Sequence, residues 1–233
     1  MKRIKTGIDS LDKLLDGGIA ENSVCLMCGR PGMGKTLVAS EIAVSMAKTG
    51  TKVLYIDLEM SPATMCYFLN EASKDDMVDE NLEYHALTHK TGVADIVMPI
   101  VESKSDVVFI DYVDLIDGTG NGTLEFATKG LFDKAFVWCC QLKRDIDDRD
   151  DKTPTLKDSY GIMYPFCYAD NTILLFRESY YAESGESEKN KTISLNVYDG
   201  EEYKGKTTLP FDTENHFDAF YRAVEMNGEQ EDF

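Results

Sequence analysis

The octapeptide Gly29-Arg30-Pro31-Gly32-Met33-Gly34-Lys35-Thr36 matches G-x-x-x-x-G-K-[ST] in full. The chemistry of that pattern is phosphate binding. Its glycines let consecutive backbone N–H groups wrap phosphate oxygens where a Cβ would clash. A helix that opens at the end of the loop adds partial positive charge. Lys35 is placed for the β- and γ-phosphates of ATP, and the Thr36 hydroxyl for Mg²⁺. Two carboxylates extend the set. Asp111 closes the run Val107-Val108-Phe109-Ile110-Asp111. At a strand end beside the phosphate loop it would order the metal; otherwise it is a capping or turn aspartate. Glu59 follows the run Val53–Leu58. There it would orient the water that attacks the γ-phosphate, unless it is a surface-loop acid.

These groups converge only if the elements between them form a parallel sheet. Val24–Cys28 reads as a strand entering the loop. Thr36–Lys48 follows, with Val38, Ala39, Ile42, Ala43, Met46 and Ala47 at helical spacing. Val53–Leu58 is the next strand, and Ser61-Pro62 reads as a helix cap with proline in the first turn. Val107–Ile110, Ala135–Cys140 and Thr172–Phe176 are further short apolar runs. The alternation predicts an α/β domain with a mostly parallel twisted sheet flanked by helices. Thr192–Tyr198 and Tyr203–Leu209 predict a C-terminal antiparallel hairpin around Asp199-Gly200. Phe217, Phe220, Tyr221 and Val224 then predict a helix before an acidic tail. The expected organisation is an ATPase core over 1–211 and a C-terminal helix and tail over 212–233.

The 233 residues fit one large domain or two small ones, and 43% apolar content is enough for a core. No apolar run approaches the ~18 residues of a bilayer span, and Met1–Gly7 leads into no signal-peptide core. No membrane partner is expected. The net charge of −18 works against sequence-blind nucleic-acid binding, so contact with single-stranded DNA needs a local basic patch. Of the six cysteines, Cys25 and Cys28 form a C-x-x-C inside a strand-like run. His85, His89 and His216 are not spaced to complete a metal site. Buried, reduced cysteines in a cytoplasmic protein are the expectation.

Taken together these segments resemble the RecA-type ATPase core of the DnaB-family hexameric replicative helicases, over roughly Thr6 to Phe217. The lead-in Thr6–Gly18 is similar to the family's approach to the P-loop, shared with KaiC and RadA proteins. Leu58-Glu59-Met60-Ser61 resembles the segment whose Glu is the catalytic base, and Ile110–Leu115 the strand end that holds the metal. Cys140–Arg144 resembles the motif whose glutamine, here Gln141, senses the γ-phosphate and touches a DNA-binding loop. Pro154–Gly161 and Ala169-Asp170 resemble the segments that follow. By the same resemblance Arg177 packs near the nucleotide base, with Phe211 on its other side. The resemblance thus implies ATP and Mg²⁺ as cofactors, Lys35, Glu59 and Gln141 as catalytic residues, and Thr36 and Asp111 at the metal. It also implies Gly29–Thr36 with Arg177 and Phe211 around the nucleotide, and self-association as a ring or filament.

Three departures set this chain apart. The family's Lys-x-Arg finger falls on Leu195–Asp199, and no basic residue lies between Lys191 and Lys204. Such a finger is worth ~10³ or more in rate in related ATPases. Five bases in the segment after Gln141 (Lys143, Arg144, Arg149, Lys152, Lys157) face six aspartates, so it reads equally as a DNA loop or a solvated one. Asp117–Ala135 carries only Lys129 and Lys134 between its ends. Finally, the chain begins almost at the ATPase core. The tail from Asp212 holds seven acids against Arg222 and ends on Phe233. It resembles the acidic tails of phage and bacterial replisome proteins that dock a basic partner; the plainer alternative is a frayed terminus. Three functions follow: a DnaB-like helicase core on single-stranded DNA, a RadA-like recombination ATPase, or a nucleotide-switched regulator or loader with weak hydrolysis.

Overall fold

A computed structural model describes residues 2–73, 80–87, 91–117, 133–159, 169–182 and 191–211. The expected helix around Phe217–Val224, the acidic tail, Lys129, His89, His216, Cys167 and the Tyr160–Gly161 end of the proline-led segment lie outside them. A two-stranded antiparallel sheet, β1 (Arg3–Ile4) with β2 (Ile19–Ala20), brackets helix α1 (Asp9–Leu14). The main sheet holds β3 (Val24–Gly29), β4 (Val53–Asp57), β5 (Leu82–Ala86), β6 (Val107–Asp111), β7 (Ala135–Gln141), β8 (Asn171–Phe176), β9 (Thr192–Asp199) and β10 (Glu202–Pro210). Their spatial order is β10-β9-β8-β3-β7-β6-β4-β5. The six strands from β8 to β5 run parallel, while β9 and β10 are antiparallel, as the hairpin pattern predicts.

The central strands are apolar on both faces because both faces are covered. On one side Cys25, Met27, Tyr55 and Phe109 pack with α2 (Lys35–Lys48) and α3 (Pro62–Ser73). On the other Leu26, Cys28, Ile56 and Trp138 pack with Ile96 and Ile100 of α4 (Val93–Glu102). Cys25 and Cys28 therefore sit in opposite cores and cannot share a metal. Both are free and buried, and burial pushes the Cys25 thiol up to about 12. Helix α2 is buried around most of its circumference, because the sheet lies under it and α3 beside it. Helix α3 begins as predicted: the Ser61 hydroxyl accepts from the Thr64 N–H at 3.2 Å, and Pro62 takes the first helical position.

Strand β3 lies between β7 and β8, whereas its successor β4 sits beyond β7 and β6. Ligands of open α/β sheets bind outside the carboxyl ends of strands at such a reversal. The loop after β3, Asp57 at the end of β4, Asp111 at the end of β6, Gln141 at the end of β7 and Arg177 after β8 all stand at that edge. No described helix is long and apolar enough to cross a membrane.

Candidate nucleotide site

The loop between β3 and α2 turns on left-handed glycines. Gly34 caps α2 at φ 88°, and a Cβ there would meet Ile193 Cδ1 at 2.7 Å. Gly32 has φ 78°, and its Cβ would meet the Tyr180 ring at 2.8 Å. Both positions are strained for other residues by their left-handed conformation, and at Gly32 the Tyr180 ring adds a close contact. The loop and the first turn of α2 floor a cleft of about 240 Å³ with Pro31, Gly32, Gly34, Lys35, Thr36 and Leu37. Lys35 is buried, and its Nζ donates to the carbonyls of Gly29 (3.1 Å) and Arg30 (3.4 Å). Glu59, Met60, Phe68 and Gln141 also line it.

Asp111 lies beneath, 1% exposed. Tyr55, stacked on Phe109 with ring centroids 5.6 Å apart, donates its hydroxyl to Asp111 Oδ2 at 2.9 Å. Oδ1 is buried and makes no hydrogen bond. Burial raises the Asp111 carboxyl, while the nearby Thr36 and Tyr55 hydroxyls and the Lys35 ammonium pull it back down. An orphaned carboxylate oxygen near a hydroxyl fits a hard cation that takes oxygen ligands and leaves room for phosphate. Among the described residues no group of three or more His, Cys, Asp or Glu forms a cage.

Not every side chain of the loop faces the cleft. The Arg30 side chain does not enter the cleft. Its guanidinium is buried against Asp147, where Nε donates to Oδ1 at 3.2 Å and Nη2 pairs with Oδ2, and Nη1 reaches the Leu142 carbonyl at 3.4 Å. Met33 is also turned away, its sulfur accepting from the Arg177 N–H at 3.3 Å. Gly29 lies under the loop, and its close neighbours Leu175 and Met33 leave a Cβ little room. Arg177 and Phe211 meet directly: the guanidinium carbon lies 4.4 Å from the Phe211 ring centre and 5.4 Å from that of Tyr180. Both side chains line the cleft. Burial lowers the Arg177 pKa.

The segment after β7 is partly folded, not a free loop. It contains a 3-10 turn over Arg144–Asp148 and a single helical turn over Leu156–Ser159. Arg149 pairs with Asp158 at 3.1 Å, and Lys152 Nζ donates to the carbonyls of Asp147 and Arg149. Lys143, Arg144 and Lys157 remain exposed. Asp147 also accepts from the Tyr181 hydroxyl at 2.6 Å. Arg30 and Tyr181 hold its carboxyl below the usual range. A depressed folded pKa means that this contribution is present above the unfolded value and is lost as pH falls through the folded one. Arg30→Ala is expected to cost about 1–2 kcal/mol, discounted for the part-exposed Asp147, and to speed amide exchange across Leu142–Ser159. The same protection in the wild-type chain is expected to fade below about pH 4. Hydrogen exchange of the two proteins from pH 3 to 7 checks both.

Two carboxylates escaped the sequence reading. Asp57, 1% exposed, ends β4 in register with Asp111. Asp114, whose carboxyl burial raises, accepts from the Gln141 N–H at 2.8 Å. The signal for Asp57 was present: both β4 and β6 end in Ile-Asp.

Residues 4–87 match the family model described as "ATPase: KaiC". The RadA DNA repair protein of Mycobacterium tuberculosis is 46% identical over 56 residues, 24% of this chain and 12% of that protein. Among solved structures, one ATPase domain superposes with a TM-score of 0.71 at 20% identity, covering 92% of this chain and 90% of that one. The chain has a RecA-like P-loop ATPase fold. A DnaB-like replicative helicase, solved with attention to its interactions with primase, gives the same TM-score and identity over 91% of this chain and 62% of its own. The stretch matched in the curated relatives is about a quarter of their length or less.

Proposed function

We propose that the chain is a Mg²⁺-dependent ATPase core of the DnaB-helicase type that acts on single-stranded DNA as a ring or filament. The observation that carries this reading is the meeting of Lys35, Thr36, Glu59 and Gln141 around one cleft, with Asp111 beneath it. Backbone N–H groups of the loop and the Lys35 ammonium bind the phosphates. Thr36 and Asp111 would hold Mg²⁺, which would neutralise phosphate charge. Glu59 orients a water in line with the γ-phosphorus and accepts its proton. The new P–O bond forms as the bond to the β–γ bridging oxygen breaks, and the charge leaves on ADP. Arg177 and Phe211 offer a cation–aromatic wall for the base. Gln141, in register with Gly29 and adjoining the folded segment, links the γ-phosphate to Lys143, Arg144 and Lys157, which would touch DNA.

A second reading, a nucleotide-switched regulator without motor activity, draws on a specific observation. Arg149 and Lys152 are engaged within the segment, and residues 192–203 of the hairpin carry no base. The acidic tail ending at Phe233 would then recruit a basic replisome partner. Fluorescence anisotropy of a labelled oligo-dT separates the two. The motor reading predicts binding that tightens about ten-fold or more with a non-hydrolysable ATP analogue over ADP and weakens steeply with salt. Absence of binding at low salt in both nucleotide states would favour the regulator.

A further inference from the structure

We propose that Asp57 is a positioning residue for Glu59, so that hydrolysis depends on a buried carboxylate that itself touches neither nucleotide nor water. This rests on the reading of Glu59 as the base. Glu59 is exposed and stands in a bend between β4 and α3. A base on a bend is only as well placed as its backbone, because reacting atoms must be held within a fraction of an ångström. Three successive N–H groups of that bend are fastened to the sheet. Leu58 N–H donates to the Asp111 carbonyl at 2.8 Å. Glu59 and Met60 N–H groups both donate to Asp57 Oδ1 at 3.0 Å. The other oxygen, Oδ2, accepts from the Tyr84 hydroxyl at 3.1 Å, which sets the carboxylate plane. Beyond the bend, the buried Leu58 side chain and the Ser61 cap fix the flanks. Asp57 has no ion pair among the described residues, and burial raises its carboxyl. A buried carboxylate without a cation is costly, and charge-assisted bonds to two backbone donors and a phenol offset that cost. The arrangement ties the base directly to the strand end that carries Asp111, through β4 and β6 in register.

The test is a double-mutant cycle on the full chain, read as steady-state kcat and KM for ATP, with nucleotide affinity measured separately. Asp57→Ala is expected to lower kcat about 10–100-fold with KM and affinity held within about two-fold. In the Glu59→Gln background the same change is expected to do nothing further, because Asp57 acts through Glu59. Asp57→Asn keeps an oxygen acceptor for the bend and is expected to recover most of kcat. Should Asp57→Ala fail to fold, Asp57→Ser carries the same cycle, its shorter hydroxyl reaching the bend less well. Wild-type kcat in Asp57→Ala or Asp57→Ser would overturn the proposal. So would an equal fall in both backgrounds, or a loss of affinity that matches the loss of kcat. Wild-type turnover by Glu59→Gln alone would instead remove the reading of Glu59 on which the proposal rests.

Discussion

Lys35→Ala is expected to abolish tight nucleotide binding while leaving the fold intact. The side chain is buried in the throat of the cleft, and its ammonium donates to only two loop carbonyls. A bound triphosphate would receive that ammonium at its β- and γ-oxygens, in a setting where water does little screening. Removing one member of a buried charge contact costs about 3–5 kcal/mol, or roughly 10²–10⁴ in Kd. The fold itself loses little, because the carbonyls of Gly29 and Arg30 have other donors: Leu142 N–H bonds Gly29 at 3.1 Å, and Met33 N–H bonds Arg30 at 3.2 Å. Isothermal titration with Mg·ATP, together with a thermal melt, checks this. A Kd within about three-fold of wild type would remove Lys35 from the phosphate site.

Glu59→Gln gives the second large effect, and it divides binding from turnover. The amide has the same shape and cannot take a proton from water. General-base catalysis contributes about 10²–10⁴ in rate, so kcat falls by that factor and affinity for Mg·ATP stays within about two-fold. Because Glu59 is exposed on its bend, the substitution is not expected to change the melting temperature. Phosphate release under single-turnover conditions, compared with equilibrium binding of the same protein, separates the chemical step from affinity.

Much of this site is legible in the sequence, and what is not has physical causes. The elements around the phosphate loop appear within a residue of their observed ends. Their apolar periods are strong, and Gly34 and Ser61 punctuate them. Strand β5 and helix α4 are harder to read. The former is a short edge strand: Leu-Glu-Tyr-His-Ala does alternate, but it runs for five residues and only Leu82 is buried, so its apolar signal is weak. The latter carries Pro99 within its helical span, which reads as a breaker. Glu59 and Asp111 were legible because each closes or directly follows an apolar run, whereas Gln141 entered through the resemblance of Cys140–Arg144 to a helicase motif. Arg30 was read as part of the cradle because of its place in the motif. Its partner Asp147 lies 117 residues away, beyond the reach of any local pattern. Asp57 was hidden for the opposite reason: it sits two residues from Glu59, and the more exposed acid drew the assignment. The direct stacking of Arg177 on Phe211 depends on how β8 and the end of β10 converge, which no local pattern shows.

The two readings of function differ over where binding energy goes after ATP is held. A motor uses it for a grip that changes with the γ-phosphate, through Gln141 and the segment after β7. A switch holds the same nucleotide and turns over slowly, because residues 192–203 supply no arginine to a neighbour's site. The cleft is expected to hydrolyse Mg·ATP in either case, and DNA to accelerate it where Lys143, Arg144 and Lys157 touch the strand.

Steady-state phosphate release by the purified chain, with and without single-stranded DNA at low salt, tests this most directly. The predicted result is Mg²⁺-dependent hydrolysis that DNA stimulates and that Lys35→Ala and Glu59→Gln both remove. Tight Mg·ATP binding with no release of phosphate in either condition would contradict it.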